Sequence, residues 1–172
     1  MVVKGYSKVK PFIKDVFEGV TDEELNRVKV KELIPTFIDI CKSILAVILA
    51  RHFFPGMELA GFLAGVSSVL GHIYPFYLKF KGGKGFASYL GMTLALNWKL
   101  ALIIVLLVVI VTLITDYIVL GTTLTITAVP IYYAFSTKGF FIPLILLVGT
   151  AVIAYKHRMN YVRIYNGTEI GL

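Results

Sequence analysis

The sequence contains little charge and almost no cysteine. Of its 172 residues only 16% are charged, while 58% are hydrophobic. Soluble globular domains carry about 25% charged residues, so this composition excludes an ordinary soluble domain and predicts an integral membrane protein. The single cysteine, Cys41, excludes an intramolecular disulfide bond.

Acidic residues are particularly scarce. Ten Asp and Glu stand against 17 Lys and Arg, which gives a formal net charge of +7. In a soluble protein this excess would suggest nucleic acid as a partner. Here the basic residues flank apolar runs, a pattern that indicates orientation against anionic lipid. We therefore expect a membrane-lipid partner and no nucleic acid.

The hydropathy pattern predicts an all-α fold, a polytopic membrane bundle of about six transmembrane helices. A polar N-terminal segment (1–34) precedes a transmembrane domain (35–172) that Pro35 opens. Thr21 is a candidate N-cap for a short helix in the polar segment, although a solvated tail fits this segment equally well. Gly61 and Gly65 form a GxxxG pair, which predicts a closely packed, central second span. The predicted spans are 35–54, 57–78, 86–97, 99–119, 118–135 and 140–155.

The distribution of Lys and Arg predicts the orientation of these spans. If all six segments cross, thirteen of the Lys and Arg lie on one side and only Arg51, Lys99 and Lys138 lie on the other. The basic side is cytoplasmic by the positive-inside rule. Segment 86–97 is short for a span, which needs about 20 residues, but a re-entrant segment would separate the basic clusters. We therefore expect it to cross, buried among its neighbours, with both termini cytoplasmic.

A loop rich in lysine and glycine, Lys79–Gly85, lies between the second and third segments. Three glycines in four residues permit positive φ, and such a backbone can turn its N–H groups inward as an anion-binding nest. The following helix, opening near Phe86, would direct its N-terminal dipole at the same place. This combination predicts a phosphate site at a membrane surface.

Two further polar groups accompany the loop. His157, Arg158, Asn160, Arg163 and Glu169 follow the last predicted span and fall on the same side as the loop. Arginine offers phosphate a bidentate fork, although these basic residues also fit ordinary positive-inside anchors, the reading we prefer for Lys156. Separately, Asp39 and Lys42 share one face of the first span. They are either functional groups or a structural ion pair.

These residues carry a resemblance to a known family. Residues 71–87, with His-x-x-Pro followed by Phe-Lys-Gly-Gly-Lys-Gly, resemble the second signature motif of the bacterial membrane glycerol-3-phosphate acyltransferases of the PlsY family. Residues 157–169 are similar to the third motif of that family. The pair Asp39 and Lys42 resembles its Asp-x-x-Lys-Gly pattern, with Ser43 in place of the glycine. The resemblance covers roughly residues 36–172.

The resemblance implies an enzyme of phospholipid synthesis. Such enzymes transfer an acyl group from acyl-phosphate to the 1-position of glycerol 3-phosphate and form lysophosphatidic acid. They act at the cytoplasmic face of the cell membrane, without metal or other cofactor. The implied catalytic residues are His72, Lys84, Arg158, Asn160 and Glu169, the phosphate-binding residues are Lys81, Gly82, Gly83, Lys84 and Gly85, and the supporting residues are Asp39, Lys42, His157 and Arg163.

The chain departs from the family pattern near its beginning. Residues 1–34 do not contain the first family motif, a Ser-Gly-Asn-x-Gly-Ala-Thr-Asn stretch, although Asn26 and Arg27 resemble its end. Two alternatives therefore stand beside the enzyme. One is a catalytically inactive membrane protein that binds a phosphorylated lipid or metabolite. The other is a small transporter, which an internal repeat would favour, and we find none in the sequence.

Overall fold

A computed structural model describes residues 22–169, which form six α-helices and one short 3-10 helix. The all-α prediction is confirmed. In chain order the α-helices are α1 (Asp22–Phe53), α2 (Glu58–Ile73), α3 (Phe86–Leu96), α4 (Trp98–Thr115), α5 (Ile118–Ser136) and α6 (Phe141–Tyr165).

The first helix is longer than predicted. It begins at Asp22 and passes through Pro35 without interruption, so Pro35 is not a helix start. Hydropathy marks where a helix becomes apolar, whereas the helix itself extends through the polar residues before it. The membrane boundary at Pro35 stays a prediction. The proposed cap Thr21 lies outside the described residues, as do the first 21 residues of the predicted N-terminal segment.

Two other helix ends differ from the expected ones. Helix α2 ends at Ile73, and a 3-10 turn (Phe76–Leu78) follows it. The cause is Pro75, because the residue before a proline is disfavoured in helical geometry. Helix α6 was expected to end near residue 155 but continues to Tyr165. His157, Arg158, Asn160 and Arg163 therefore lie on the last turns of a helix, and Glu169 follows its end.

The chain has the helices of a membrane protein. Glu58–Leu78, α4, α5 and α6 are each long and apolar enough to cross a bilayer. Helix α3 has 11 residues, or about 16 Å at a rise of 1.5 Å per residue, half of the hydrocarbon thickness. It packs against α1, α2, α4 and α5, which confirms its expected burial among neighbours. Whether it crosses stays a prediction.

Helices α2 and α3 form the centre of the bundle. Helix α2 packs against α1, α3 and α6, and α5 packs against α4 and α6. The predicted close packing at Gly65 is confirmed, since Val47 of α1 and Met92 of α3 face it directly. The core is aliphatic and aromatic, with fully buried Val47, Phe62, Val69, Ile73, Tyr89, Met92, Ile126, Val129, Leu146 and Ile153.

One backbone carbonyl joins three helices. Pro130 in α5 has no N–H, so the carbonyl of Ile126, four residues earlier, lacks its helical donor. Two neighbours replace that donor: Thr150 of α6 donates its hydroxyl at 2.6 Å and Tyr89 of α3 donates at 3.5 Å. The proline thus creates a polar contact that holds α3, α5 and α6 together.

The contact of α1 with α3 predicts the effect of one methyl group. A Cβ at Gly91 would lie 2.9 Å from Cα of Ile40, a backbone atom that cannot turn away. Gly91→Ala should therefore separate α1 from α3 and lower the stability by about 1–3 kcal/mol or more, measured as a lower thermal unfolding midpoint in detergent. Gly149→Ala is the matched control, because its Cβ would meet nothing closer than 3.6 Å. Equal midpoints for the two variants would contradict this packing.

Candidate active site

The glycine loop folds back onto the end of α2. The N–H of Gly82 donates to the carbonyl of Ile73 at 3.3 Å. The next residue, Gly83, lies against the imidazole of His72, where an added Cβ would come within 2.9 Å of Cε1. The loop therefore depends on the absence of a side chain at Gly83, because the ring of His72 packs directly against this residue.

The backbone of the loop presents unpaired donors. Within the described residues, the N–H groups of Gly83, Lys84 and Gly85 donate to no protein acceptor. Gly85 is the N-cap of α3 and has a φ of +92°, so it turns the chain into a helix whose first N–H groups face the same space. Adjacent free N–H groups at a helix N-terminus bind anions.

The glycines serve two different purposes. The sequence permits positive φ at all three, and among them only Gly85 adopts it. Gly82 and Gly83 are required by close approach instead, because an added Cβ would meet the His72 carbonyl at the first and its ring at the second.

A charged cluster next to the loop consists of Asp39, Lys42 and His72. Lys42 donates to Asp39 at 2.5 Å, which confirms that the two share a helix face. Nδ1 of His72 lies 3.0 Å from the Lys42 ammonium and 3.0 Å from the Asp39 carboxylate. This cluster joins α1 to α2 and fixes the ring that supports Gly83. The ion pair contacts His72, and the ring of His72 in turn contacts the loop at Gly83.

A second polar cluster consists of Lys84, Asn160, Glu169 and Arg163. Lys84 donates to Oδ1 of Asn160 at 2.8 Å, and Nδ2 of Asn160 donates to Glu169 at 2.5 Å. Arg163 lies 3.8 Å from the other oxygen of Glu169. That oxygen is buried and accepts no hydrogen bond from the residues that the structure describes. The cluster therefore joins a loop lysine to α6.

The chain reverses after α6 to bring Glu169 to Asn160. Gly167 has a φ of +67°, and its N–H donates to Ile164 while that of Thr168 donates to Arg163. These two bonds define a Schellman motif, which requires a left-handed residue. Sequence reasoning placed Glu169 in the site but missed the role of Gly167. A lone glycine directly after a helical pattern was the available signal.

Among the described residues, three predicted site residues form no hydrogen bond with either cluster. Arg158 is exposed, donates to the carbonyl of Tyr155 at 3.0 Å and stacks on its ring at 4.1 Å. Lys81 is exposed, and among the described residues its ammonium contacts neither cluster. His157 is buried and its Nδ1 pairs with the carbonyl of Ile153 at 2.9 Å. The structure thus brings together His72, Lys84, Asn160, Arg163, Glu169, Asp39 and Lys42.

Comparison with known proteins identifies one family. Residues 28–167 match the model of the family described as glycerol-3-phosphate acyltransferase. A protein of that name from Brucella anthropi is 33% identical over 132 residues, which cover 76% of this chain and 63% of the relative. One from Prochlorococcus marinus is 35% identical over 156 residues, or 88% of this chain and 77% of the relative. The chain thus spans about 63% of the length of the former relative.

Solved structures have the same fold. Two crystal structures of PlsY, an integral membrane glycerol 3-phosphate acyltransferase, are similar to this chain. The glycerol 3-phosphate form has a TM-score of 0.78 at 27% identity and covers 87% of this chain and 76% of that one. The lysophosphatidic acid form has a TM-score of 0.76 at 28% identity and covers 84% and 74%.

The contact of Gly83 with His72 predicts that substitutions at these two residues have non-additive effects on stability. Gly83→Ala should destabilise the protein because its methyl group displaces a ring held by Asp39 and Lys42. Adding His72→Ala removes the clash, so the double variant should lose less stability than the sum of the single ones, by about 0.5–3 kcal/mol.

The measurement is a double-mutant cycle of unfolding free energies. Gly139→Ala serves as the control, since an added Cβ there would meet no atom of residues 22–169 within 4 Å. Strict additivity of the two substitutions would show that the ring does not support the loop.

Proposed function

This chain belongs to the glycerol-3-phosphate acyltransferase family, and we propose that it transfers an acyl group from acyl-phosphate to the 1-position of glycerol 3-phosphate. The product is lysophosphatidic acid, a precursor in phospholipid synthesis. The single observation that carries the proposal is the Lys84–Asn160 contact, which joins the anion-binding loop to α6. The alternative, an inactive protein that binds a phosphorylated lipid, is not favoured, because the matched relatives are named as acyltransferases.

The loop is the proposed phosphate site. Three free backbone N–H groups lie at Gly83–Gly85, directly before the N-terminus of α3, and Lys84 adds a positive charge from within the same three residues. Lys81 in the loop and Arg158 on α6 are exposed and add positive charge that attracts a doubly charged substrate. The glycerol 3-phosphate form of the related PlsY structure supports this ligand.

The proposed reaction is a direct acyl transfer. The 1-hydroxyl oxygen of glycerol 3-phosphate attacks the acyl carbon, the acyl carbon–oxygen bond to phosphate breaks, and inorganic phosphate leaves with the hydroxyl proton. A substrate phosphate oxygen accepts that proton, so no protein nucleophile is needed. Lys84 and the loop N–H groups stabilise the negative charge on the reacting carbonyl and the leaving phosphate.

The second polar cluster, which contains Asn160 and Glu169, orients the acceptor substrate. Asn160 holds Lys84 with its oxygen and Glu169 with its nitrogen. Arg163 lies 3.8 Å from the other oxygen of Glu169 and holds the carboxylate beside Asn160. His72, Asp39 and Lys42 position the loop through the contact of the His72 ring with Gly83. His157, which is buried on α6, is a supporting residue. The reaction as proposed uses no metal or other cofactor.

The site belongs at the cytoplasmic face of the cell membrane. The positive-inside bias supports cytoplasmic termini, and the glycine loop and the end of α6 share that side. Acyl-phosphate is an amphiphile whose chain lies in the bilayer and whose phosphate lies at headgroup level. A site at this depth reaches it without a soluble carrier.

Activity should depend strongly on Lys84. Purified protein given acyl-phosphate and glycerol 3-phosphate should form lysophosphatidic acid and phosphate in equal amounts. Lys84→Ala removes a charged phosphate contact worth on the order of 2–5 kcal/mol, so kcat/KM should fall at least about 30-fold. Arg158→Ala should reduce the rate less, because the guanidinium lies outside the cluster.

The matched control is Lys138→Ala, which removes an exposed lysine in the turn between α5 and α6. It should keep wild-type activity. Wild-type protein that binds glycerol 3-phosphate but forms no product would overturn the proposal in favour of the inactive binder. Unchanged activity in Lys84→Ala would show that the loop is not the phosphate site.

A further inference from the structure

The segment Phe76–Lys81, which precedes the phosphate loop, exposes an unusual number of large apolar side chains. Phe76 is 80% exposed, Tyr77 71%, Leu78 53% and Phe80 63%. They form one continuous stretch at the end of the apolar span Glu58–Leu78. Contiguous exposed apolar surface of this kind marks an interaction site with protein or membrane.

The backbone of this segment is strained. Lys79 and Phe80 both adopt left-handed conformations, with φ of 53° and 61°, which cost roughly 1–2 kcal/mol per residue for L-residues other than glycine. Hydrogen bonds maintain them: the N–H of Phe80 donates to Pro75 at 3.0 Å and that of Lys79 to Phe76 at 3.2 Å. Glycine would occupy either position without strain, and backbone strain of this kind is often found at functional sites.

Charge identifies the partner. Lys79 and Lys81 flank Phe80, and neither forms an ion pair within the described residues. Lys156 lies over the ring of Tyr74 at 4.5 Å, so the neighbouring surface is also basic. Aromatic rings next to unpaired lysines at the end of a membrane span suit the headgroup region of an anionic bilayer.

We propose that Phe76–Lys81 is an interfacial anchor for anionic phospholipid. The aromatic rings insert among the acyl-chain ends, and Lys79 and Lys81 bind the lipid phosphates. The chain continues from Lys81 directly into Gly82, so the anchor holds the loop at headgroup depth. In that respect the inference rests on the proposed function, since the depth matters because the acyl donor lies there.

Fluorescence quenching tests the anchor without substrate. The chain has one tryptophan, Trp98, so Trp98→Phe with Phe80→Trp places a single reporter in the segment. The protein is reconstituted in brominated phosphatidylcholine, and phosphatidylglycerol is then added as competitor. The reporter should be quenched, and phosphatidylglycerol should relieve the quenching more than an equal amount of unbrominated phosphatidylcholine.

The lysine contribution is read from a second substitution. Lys79→Asn removes the charge and keeps a residue that tolerates the left-handed conformation. It should lower the preference for phosphatidylglycerol about fivefold, as expected for one lysine near a charged bilayer. Trp98 in the otherwise unchanged protein is the matched control, and its quenching should not respond to Lys79→Asn.

Three results would overturn the proposal: an unquenched reporter, no preference for phosphatidylglycerol, or an unchanged preference in Lys79→Asn. If Phe80→Trp does not fold, Phe76→Trp gives the same readout from a residue without positive φ. Because no acyl-phosphate or glycerol 3-phosphate is present, a positive result concerns phospholipid alone. An active enzyme without lipid preference would reject the anchor only, and an inactive protein with the preference would reject acyl transfer only.

Discussion

The hydrogen bond from Lys84 to Asn160 is the contact on which the candidate site depends. It joins residues 76 positions apart and connects a loop between α2 and α3 with the last turns of α6. Each partner is fixed on its other side. Gly83 lies against the ring of His72, and Asn160 holds Glu169, which the reversal at Gly167 returns to the helix. If either of these contacts is lost, the side chains of Lys84 and Asn160 are no longer held within hydrogen-bonding distance of each other.

The two charged clusters and the loop form one continuous structure. Asp39 and Lys42 on α1 hold His72 on α2, His72 supports Gly83, and the next residue is the lysine that reaches α6. Asp39, Lys42 and His72 are half-buried, and partly desolvated charges are costly unless paired, which restricts where α1 and α2 can meet. The polar residues therefore align the helices as well as preparing the site.

Much of this arrangement could be predicted from sequence, and the rest was hidden for identifiable reasons. Composition and hydropathy predicted an all-α membrane protein, and the motifs predicted the family. Helix ends were less accessible, because hydropathy falls near Tyr155 while α6 continues to Tyr165. The purpose of Gly83 depends on a ring eleven residues earlier in the chain, and the stacking of Arg158 on Tyr155 depends on side-chain conformation. Neither is encoded in local spacing.

The central claim is that the glycine loop and α6 together form a site for the phosphate of glycerol 3-phosphate. Titration calorimetry of the purified protein with glycerol 3-phosphate, and in parallel with glycerol, tests it most directly. The account predicts saturable binding of glycerol 3-phosphate at one site per chain and no measurable binding of glycerol. Absence of glycerol 3-phosphate binding, or equal binding of the two compounds, would contradict it.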